Sequence, residues 1–504
     1  MMSNARSPIL WDYFSEKSKC FADRIAVTAS GRDITFGRLF SEAGNLADKL
    51  ADMGLERGDI VGHTMKNGAE FVVVFLALCK LSAATALVPE KYQQSEMDFI
   101  RRHLRPKCFI GNESLYDSLS RKIPMAQSLT IPLPDSDGLR VVFPAPVDGG
   151  IEPSVPLHTF PQPITLIKFT SGSTGLPKAV ALSPRNILAE TENIVQTLNI
   201  SIEDRLLAAL PLSHSYGFDL GVLMMLGSGA RLIVHENFIP RKVLREIEQQ
   251  RVSVFLGVPS MYKLLLETRC EKAPDFSGVR YLLSCTAPLG THTIREFHSR
   301  FGAWICQHYG SSETGAAANH INGEIDRHPD AVGAAMKKVR IRVVDPEDRP
   351  VPPGTDGEVV VAGDNVAQGY LMGRPEHRQP LRDNSYWTGD VGCLDSEGFL
   401  YIKGRLDQMI NVGGQKVSPD EVAAVLESHP AVREAAAVGV KDDDGDEVIV
   451  AVAAVREPAD EDDILAFCRG RLAAYKVPRR VVFMPELPKG PSGKICISPQ
   501  DLPR

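Results

Sequence analysis

Between two short apolar runs, ITLIKF (164–169) and AVAL (179–182), the chain reads TSGSTGLPK. No other stretch narrows the fold as far. A phosphate loop of the form GxxxxGK[ST] opens directly into a helix. Here the residue five after Gly172 is Pro177, and the chain after Lys178 returns to an apolar run. The spacing therefore predicts a hairpin whose tip folds over an anion. Small residues let backbone N–H groups and hydroxyls approach anionic oxygens, and Lys178 adds a positive charge. Ser183 and Pro184 then supply the cap and first position of a helix, PRNILAETENIVQTL.

The flanking sequence alternates strand-like and helical segments. Thr35 caps a helix with Leu39, Ala43, Leu46, Ala47 and Leu50 on one face and Gly54 past its end. DIVGH and TALVP read as strands around a buried helix, Ala69 to Leu81. Such alternation implies parallel sheets covered by helices. The Pro/Gly-rich stretch 132–163 reads as a surface connection. From VRIRVVD to GFLYIKG the pattern turns to short strands and turns. After GRLDQMINVGGQKV the order is helix, strand, strand, helix, strand. The expected architecture is α/β. A large domain of helix-covered sheets spans 1–403, with a β-rich subdomain at about 336–403. A small α+β domain spans 404–504 and moves about a hinge near Asp407.

At 504 residues the chain is too long for one ordinary core. Its net charge of −7 argues against a general nucleic-acid binder. The nine cysteines form no CxxC pair, which speaks against a zinc knuckle and fits a reducing compartment. The longest apolar run, Phe71–Cys79, is too short to span a bilayer, and the N-terminus lacks a signal-peptide core. The expectation is a cytoplasmic protein without a transmembrane segment.

FTSGSTGLPKAV resembles the signature loop of the adenylate-forming superfamily, which holds acyl-CoA synthetases, adenylation domains and luciferases. Further segments resemble that family's motifs in the same order: LPLSHSYGF (210–218), GVPSMYKLL (257–265), LLSCTAPLG (282–290), QHYGSSETG (307–315), YWTGDVG (386–392), GRLDQMINVGGQKVSPDEV (404–422) and PKGPSGKI (488–495). Each motif alone is weak; the ordered set is specific.

The resemblance implies an ATP-dependent acid–thiol ligase. A carboxylic acid, fatty or aryl, is activated as an acyl-adenylate and passed to a thiol of CoA or phosphopantetheine. ATP and Mg²⁺ are the implied cofactors, and Glu313 the implied metal ligand. Thr170, Ser171, Gly172, Ser173, Thr174 and Gly175 would hold the phosphates, with Ser312 and Gly310 nearby. Asp390 would take the ribose hydroxyls and Arg405 the ribose or phosphate. Tyr309, Ala287 and Pro288 would wall the adenine. Lys494 would bridge carboxylate and α-phosphate as negative charge builds, and Lys178 would act with it. His214, Tyr216, Gly217, Ser284 and Cys285 would face the acyl group, with no general-base role for His214, since a carboxylate is already ionised at neutral pH. Asp407 would be the hinge, and Gly413 and Gly414 the path for the thiol arm.

The chain departs from the family pattern at Ala179, Cys285, Thr286 and Asn411, and carries ICISPQDL after Lys494. The last departure weakens CoA against an acyl or peptidyl carrier protein as thiol donor. The rival reading is a stand-alone adenylation enzyme that loads an amino or aryl acid onto such a carrier. An amino acid would require a buried carboxylate for its ammonium, and Asp219 is the available one. A non-catalytic acyl-nucleotide binder would predict loss of Lys494, Glu313 or Asp390, and all three are present.

Overall fold

The computed structural model describes residues 10–146, 157–171, 177–270, 272, 274–321, 324–372, 380–413, 415–442, 447–489 and 495–502. Two large sheets dominate the first four hundred residues. In the first, six neighbouring strands run parallel: Ile25–Ala29, Arg231–Val234, Arg205–Ala208, Val254–Gly257, Tyr281–Ser284 and Ile305–Ser311. Beyond Ile305–Ser311 the same sheet continues antiparallel through Gly315–Asn319, Gly333–Ala335, Phe399–Arg405, Ser385–Leu394, Gly357–Ala362 and Arg340–Val344. The second sheet has a parallel centre of Leu166–Ser171, Ala84–Leu87, Ile60–Thr64 and Cys108–Asn112.

Local sequence accounts for these elements. The helix Ala69–Leu81 matches the expected bounds, and its residues Phe71 to Cys79 are all buried. A helix apolar on every side is stable only when enclosed, and each large side chain so buried contributes roughly 1.5–3 kcal/mol. Phe75 packs edge-on against Phe218, with ring centroids 4.9 Å apart. The buried helix thereby supports the segment that follows LPLSHSYG. Thr35 caps the helix Phe36–Asp52 by accepting from the Arg38 N–H, and Ser183 caps Pro184–Thr197 by accepting from Asn186 N–H.

Two features differ from the expectations, and a third had no signal in the sequence. The stretch 132–163 is not wholly a surface connection, because Leu139–Pro144 is a strand paired with Cys108–Asn112 and Met125–Ile131. The strand-forming valines and phenylalanine of LRVVF outweigh the surrounding prolines. The β-rich stretch is continuous with the first sheet, and it sends Gly369–Met372 across to pair with Pro177–Leu182 in the second. Phe218–Leu223 winds as a π-helix, a form common at functional sites.

After Arg405 the chain forms a hairpin, Ile410–Val412 with Gln415–Val417, and a three-stranded sheet of Val432–Lys441, Glu447–Val455 and Arg480–Phe483. Helices Pro419–Glu427 and Glu461–Arg469 contribute Val422, Leu426, Ile464 and Leu465 to a core of its own. Among the described residues, no helix is long and apolar enough to cross a membrane.

Candidate active site

Ligands of open α/β sheets gather at the carboxyl ends of the parallel strands. Thr170, Ser284 and Glu313 lie at or just past such ends. Leu166–Ser171 pairs antiparallel with Pro177–Leu182, so the phosphate segment is flanked by a hairpin, with Thr170 opposite Lys178. Gly172, Ser173, Thr174, Gly175, Gly414 and Lys494 lie outside the described residues, as does the side chain of Ser171. Lys489 and Ile495, which bracket Lys494, form an antiparallel bridge on the small domain.

Ile305–Ser311 turns back into Gly315–Asn319, with Glu313 at the tip. Gly310 has no room for a side chain, since a Cβ would stand 2.2 Å from the Gly315 carbonyl oxygen. Glu313 is buried, and its Oε1 accepts from the Tyr370 hydroxyl at 2.8 Å. Burial and the Glu313 charge raise the Tyr370 pKa, so the phenol keeps its proton. The Ser312 hydroxyl lies 2.5 Å from that of Ser215. A buried carboxylate beside a hydroxyl offers hard oxygen donors, which fit Mg²⁺. No cluster of three or more His, Cys, Asp or Glu is found among the described residues. A cation held by Glu313 would complete its shell with phosphate and water, as Mg²⁺ does in nucleotide sites.

Asp390 lies on Ser385–Leu394 opposite Arg405 on Phe399–Arg405. Its Oδ2 accepts from the Tyr309 hydroxyl at 2.5 Å and its Oδ1 from Arg405 Nη1 at 3.0 Å. Arg405 also donates to the Thr388 carbonyl at 2.9 Å. Burial opposes the Arg405 charge, but Asp390 and Asp407 outweigh it and hold its pKa above the ordinary value. The carboxylate is thus fixed from two sides, with lone pairs left for a diol. Tyr309, assigned from sequence to the adenine wall, spends its hydroxyl on Asp390. Ala287 and Pro288 follow the end of Tyr281–Ser284, after Thr286 at φ +78°.

His214, Tyr216 and Gly217 lie on one short helical segment and its cap, and Ser284 ends the strand Tyr281–Ser284, with Cys285 next in the chain. His214 Nδ1 accepts the Tyr216 N–H at 3.4 Å, which leaves the ring proton on Nε2. Burial and the Lys168 charge lower its pKa, so it is neutral. The Tyr216 hydroxyl donates to the Leu283 carbonyl at 3.0 Å, and its ring stacks on His308. Gly217 serves packing: a Cβ would lie 2.4 Å from the Pro211 carbonyl oxygen. Ser284 is buried, and burial pushes the Cys285 thiol up to about 12, so it stays protonated at neutral pH. Asp407 is exposed, 3.6 Å from Arg405 Nε, and Gly413 adopts φ +56° in the hairpin turn.

Asp219 is not free to meet a substrate ammonium. Both of its oxygens lie against Lys168 Nζ, at 2.6 and 2.7 Å. Lys168, Glu190 and Tyr370 carry no motif signal. A lone lysine in ITLIKF was the single visible anomaly, and its partners stand 22 and 51 residues away.

Comparison with known proteins agrees with this geometry. The family model described as "AMP-binding enzyme" matches residues 14–371, and that described as "AMP-binding enzyme C-terminal domain" matches residues 421–494. The chain is 32% identical to the "Probable CoA ligase CCL9" of Humulus lupulus, covering 94% of this chain and 92% of the relative. It is 30% identical to the "Oxalate--CoA ligase" of Arabidopsis thaliana, covering 95% of each. Among solved structures, ATP-bound MatB from Rhodopseudomonas palustris superposes with a TM-score of 0.84 at 27% identity, covering 97% of each chain. The o-succinylbenzoate CoA synthetase of Bacillus subtilis, in complex with its acyl-adenylate, gives 0.80 at 25% identity over 97% of each chain. With a carboxylate pinned by Tyr309 and Arg405, a second one at the Glu313 tip and both family models matched, the chain belongs to the AMP-binding, adenylate-forming enzymes.

Proposed function

We propose that this protein is an ATP-dependent acid–CoA ligase that forms AMP. The observation that carries the reading is the joint placement of Asp390, held by Tyr309 and Arg405, and of Glu313 at a strand end, in a chain that aligns with CoA ligases over nearly its whole length. In the first half-reaction a carboxylate oxygen bonds to the α-phosphorus, and the bond to the β-phosphate bridging oxygen breaks. Pyrophosphate leaves, and a mixed anhydride remains. In the second, a thiolate sulfur bonds to the acyl carbon, AMP leaves, and the thiol proton passes to solvent.

Two anions meet in the first step, so the barrier is mainly electrostatic and positional. Mg²⁺, when bound, neutralises phosphate charge; Glu313 would hold it, with Ser312 close to the phosphates. Asp390 anchors the ribose and Arg405 fixes Asp390. Tyr309, Ala287 and Pro288 border the base. Thr170 to Gly175 and Lys178 cradle the phosphates. Lys494 bridges the reacting anions. His214, Tyr216, Gly217, Ser284 and Cys285 bound the acyl group. Rotation at Asp407, with a domain boundary near residue 404, exchanges Lys494 for Gly413 and Gly414, which open the thiol path.

The substrate is a small carboxylic acid, CoA is the acceptor and the setting is cytoplasmic. A carrier-protein phosphopantetheine is the alternative thiol. The test incubates the full-length protein with MgATP and a pooled acid library, with CoA or a holo-carrier protein. Pyrophosphate release and an acyl-CoA product are expected. Lys494→Ala should slow adenylation by about a hundredfold or more while nucleotide binding persists. Absence of pyrophosphate release with every acid overturns the reading.

A further inference from the structure

Three ionisable side chains lie behind the acyl wall, and the reaction as described gives them no part. Lys168, Glu190 and Asp219 are 2%, 1% and 4% exposed. Lys168 Nζ contacts both Asp219 oxygens and lies 3.9 Å from Glu190 Oε2. Glu190 Oε1 accepts the Ala316 N–H at 2.9 Å, while Oε2 has no hydrogen-bond partner. The carboxylate fills the space beside Gly315, where a Cβ would come within 1.8 Å of it.

Their placement joins the working segments. Lys168 lies on the strand that enters the phosphate loop, and Glu190 on the helix that follows it. Asp219 is on the π-helix just after His214 to Gly217, and Ala316 is three residues past Glu313. Asp219 influences the Cys285 thiol, and Lys168 the His214 ring. The trio therefore stands immediately behind the side chains assigned to the acyl group.

Buried ions are weak contributors to stability, because desolvation offsets their attraction, and an apolar trio of the same volume would serve the fold as well. Two buried carboxylates close to the acyl group would form a receptor for an ammonium ion. In this chain the receptor is filled from within. Burial and the nearby Asp219 charge push Glu190 up to about 8, so it holds a proton at neutral pH. One ammonium, one carboxylate and one carboxylic acid leave the trio neutral.

We propose that Lys168 is a specificity-determining residue: its ammonium occupies the Asp219–Glu190 receptor, so acids that carry an ammonium on the acyl side are refused and acids without one are accepted. The inference rests on the acid-activating reading above. It makes Lys168 a positioning residue acting through Asp219, and it sets this enzyme apart from an amino-acid-activating one by a single internal cation.

The experiment measures MgATP-dependent pyrophosphate release by the full-length protein with matched acids, such as propionate against alanine and 3-phenylpropanoate against phenylalanine. Turnover of an ammonium-free acid by the unaltered protein checks the activity itself, independently of the inference. In Lys168→Ala, the kcat/KM ratio of amino acid to matched acid should rise at least about tenfold, while Lys168→Arg keeps the original ratio. The double variant Lys168→Ala/Asp219→Asn should lose the gain. An unchanged ratio in Lys168→Ala, or the same rise in Lys168→Arg or in the double variant, overturns the proposal. Should Lys168→Ala fail to fold, it is refolded in ethylammonium chloride or in sodium chloride of equal strength. Recovery only with ethylammonium supports the filled receptor, and equal yields in both salts overturn it.

Discussion

The Lys263 ammonium reaches from the large domain to the Glu427 carboxylate of the small one, 2.9 Å away. The same Glu427 oxygen accepts the Ala435 N–H at 3.3 Å. Helix Pro259–Glu267 is thereby tied to the end of helix Pro419–Glu427, across a cleft of about 280 Å³ that also contains His292 and Arg456.

A half-buried pair of this kind contributes about 1 kcal/mol, enough to shift a two-pose equilibrium roughly fivefold. Lys263→Met is expected to release the small domain from this pose. Limited proteolysis near Asp407 should quicken severalfold, Glu427→Gln should match it, and the double variant should add nothing further.

The grip of Tyr309 and Arg405 on Asp390 predicts a graded loss of nucleotide affinity. Tyr309→Phe removes one of two donors and should raise the KM for ATP by about tenfold, near the value of one charge-assisted hydrogen bond. Asp390→Ala should lower kcat/KM for ATP by about a hundredfold or more, with thermal stability little altered. Initial-rate pyrophosphate assays over a range of ATP concentrations check both.

Glu313→Gln keeps the shape and the acceptor for Tyr370 but removes the charge. The Mg²⁺ concentration for half-maximal rate should climb by about tenfold or more, while the KM for the acid stays put. A metal titration at saturating ATP distinguishes this from general damage to the site.

Glu190 gives stability a pH dependence. Its folded pKa is raised by burial from 4.5 to about 8. The unfolded chain releases the proton near pH 4.5 while the folded one retains it, so between these values the folded state binds more protons and stability falls as pH rises. The contribution is complete below pH 4.5 and lost once pH passes about 8. Glu190→Gln keeps the shape and the acceptor for the Ala316 N–H but does not ionise, so it should flatten this decline and exceed the parent stability at pH 9 by at least about 1 kcal/mol. Thermal melts from pH 5 to 9 read the difference.

Much of the frame was legible because its signals are local. The hairpin around the phosphate loop follows from apolar runs on either side of small residues, and Ser183-Pro184 marks the next helix without tertiary information. Asp390 and Glu313 were reachable through their short motifs. Their partners were less accessible: Tyr370 looks like any strand tyrosine, and its bond to Glu313 depends on a crossing between sheets. The strand Leu139–Pro144 was masked by neighbouring prolines and glycines, although LRVVF is rich in strand formers. The pairing of Lys168 with Glu190 and Asp219 remained hidden for a different reason, although Asp219 itself was singled out for a substrate ammonium. Ion pairing over such separations is set by packing of three elements, and a single sequence records no pairing.

The short strand Gly369–Met372 leaves one sheet to lie beside Pro177–Leu182 in the other. Eighteen residues farther on, the chain arrives at Asp390. The strand that pairs with the hairpin proposed to hold the triphosphate thus lies close in sequence to the carboxylate proposed to hold the sugar. The pairing with Pro177–Leu182 ties the first sheet's chain segment to the edge of the second sheet. Parting the two sheets along this shared edge is therefore expected to weaken ATP capture well before the cores come apart.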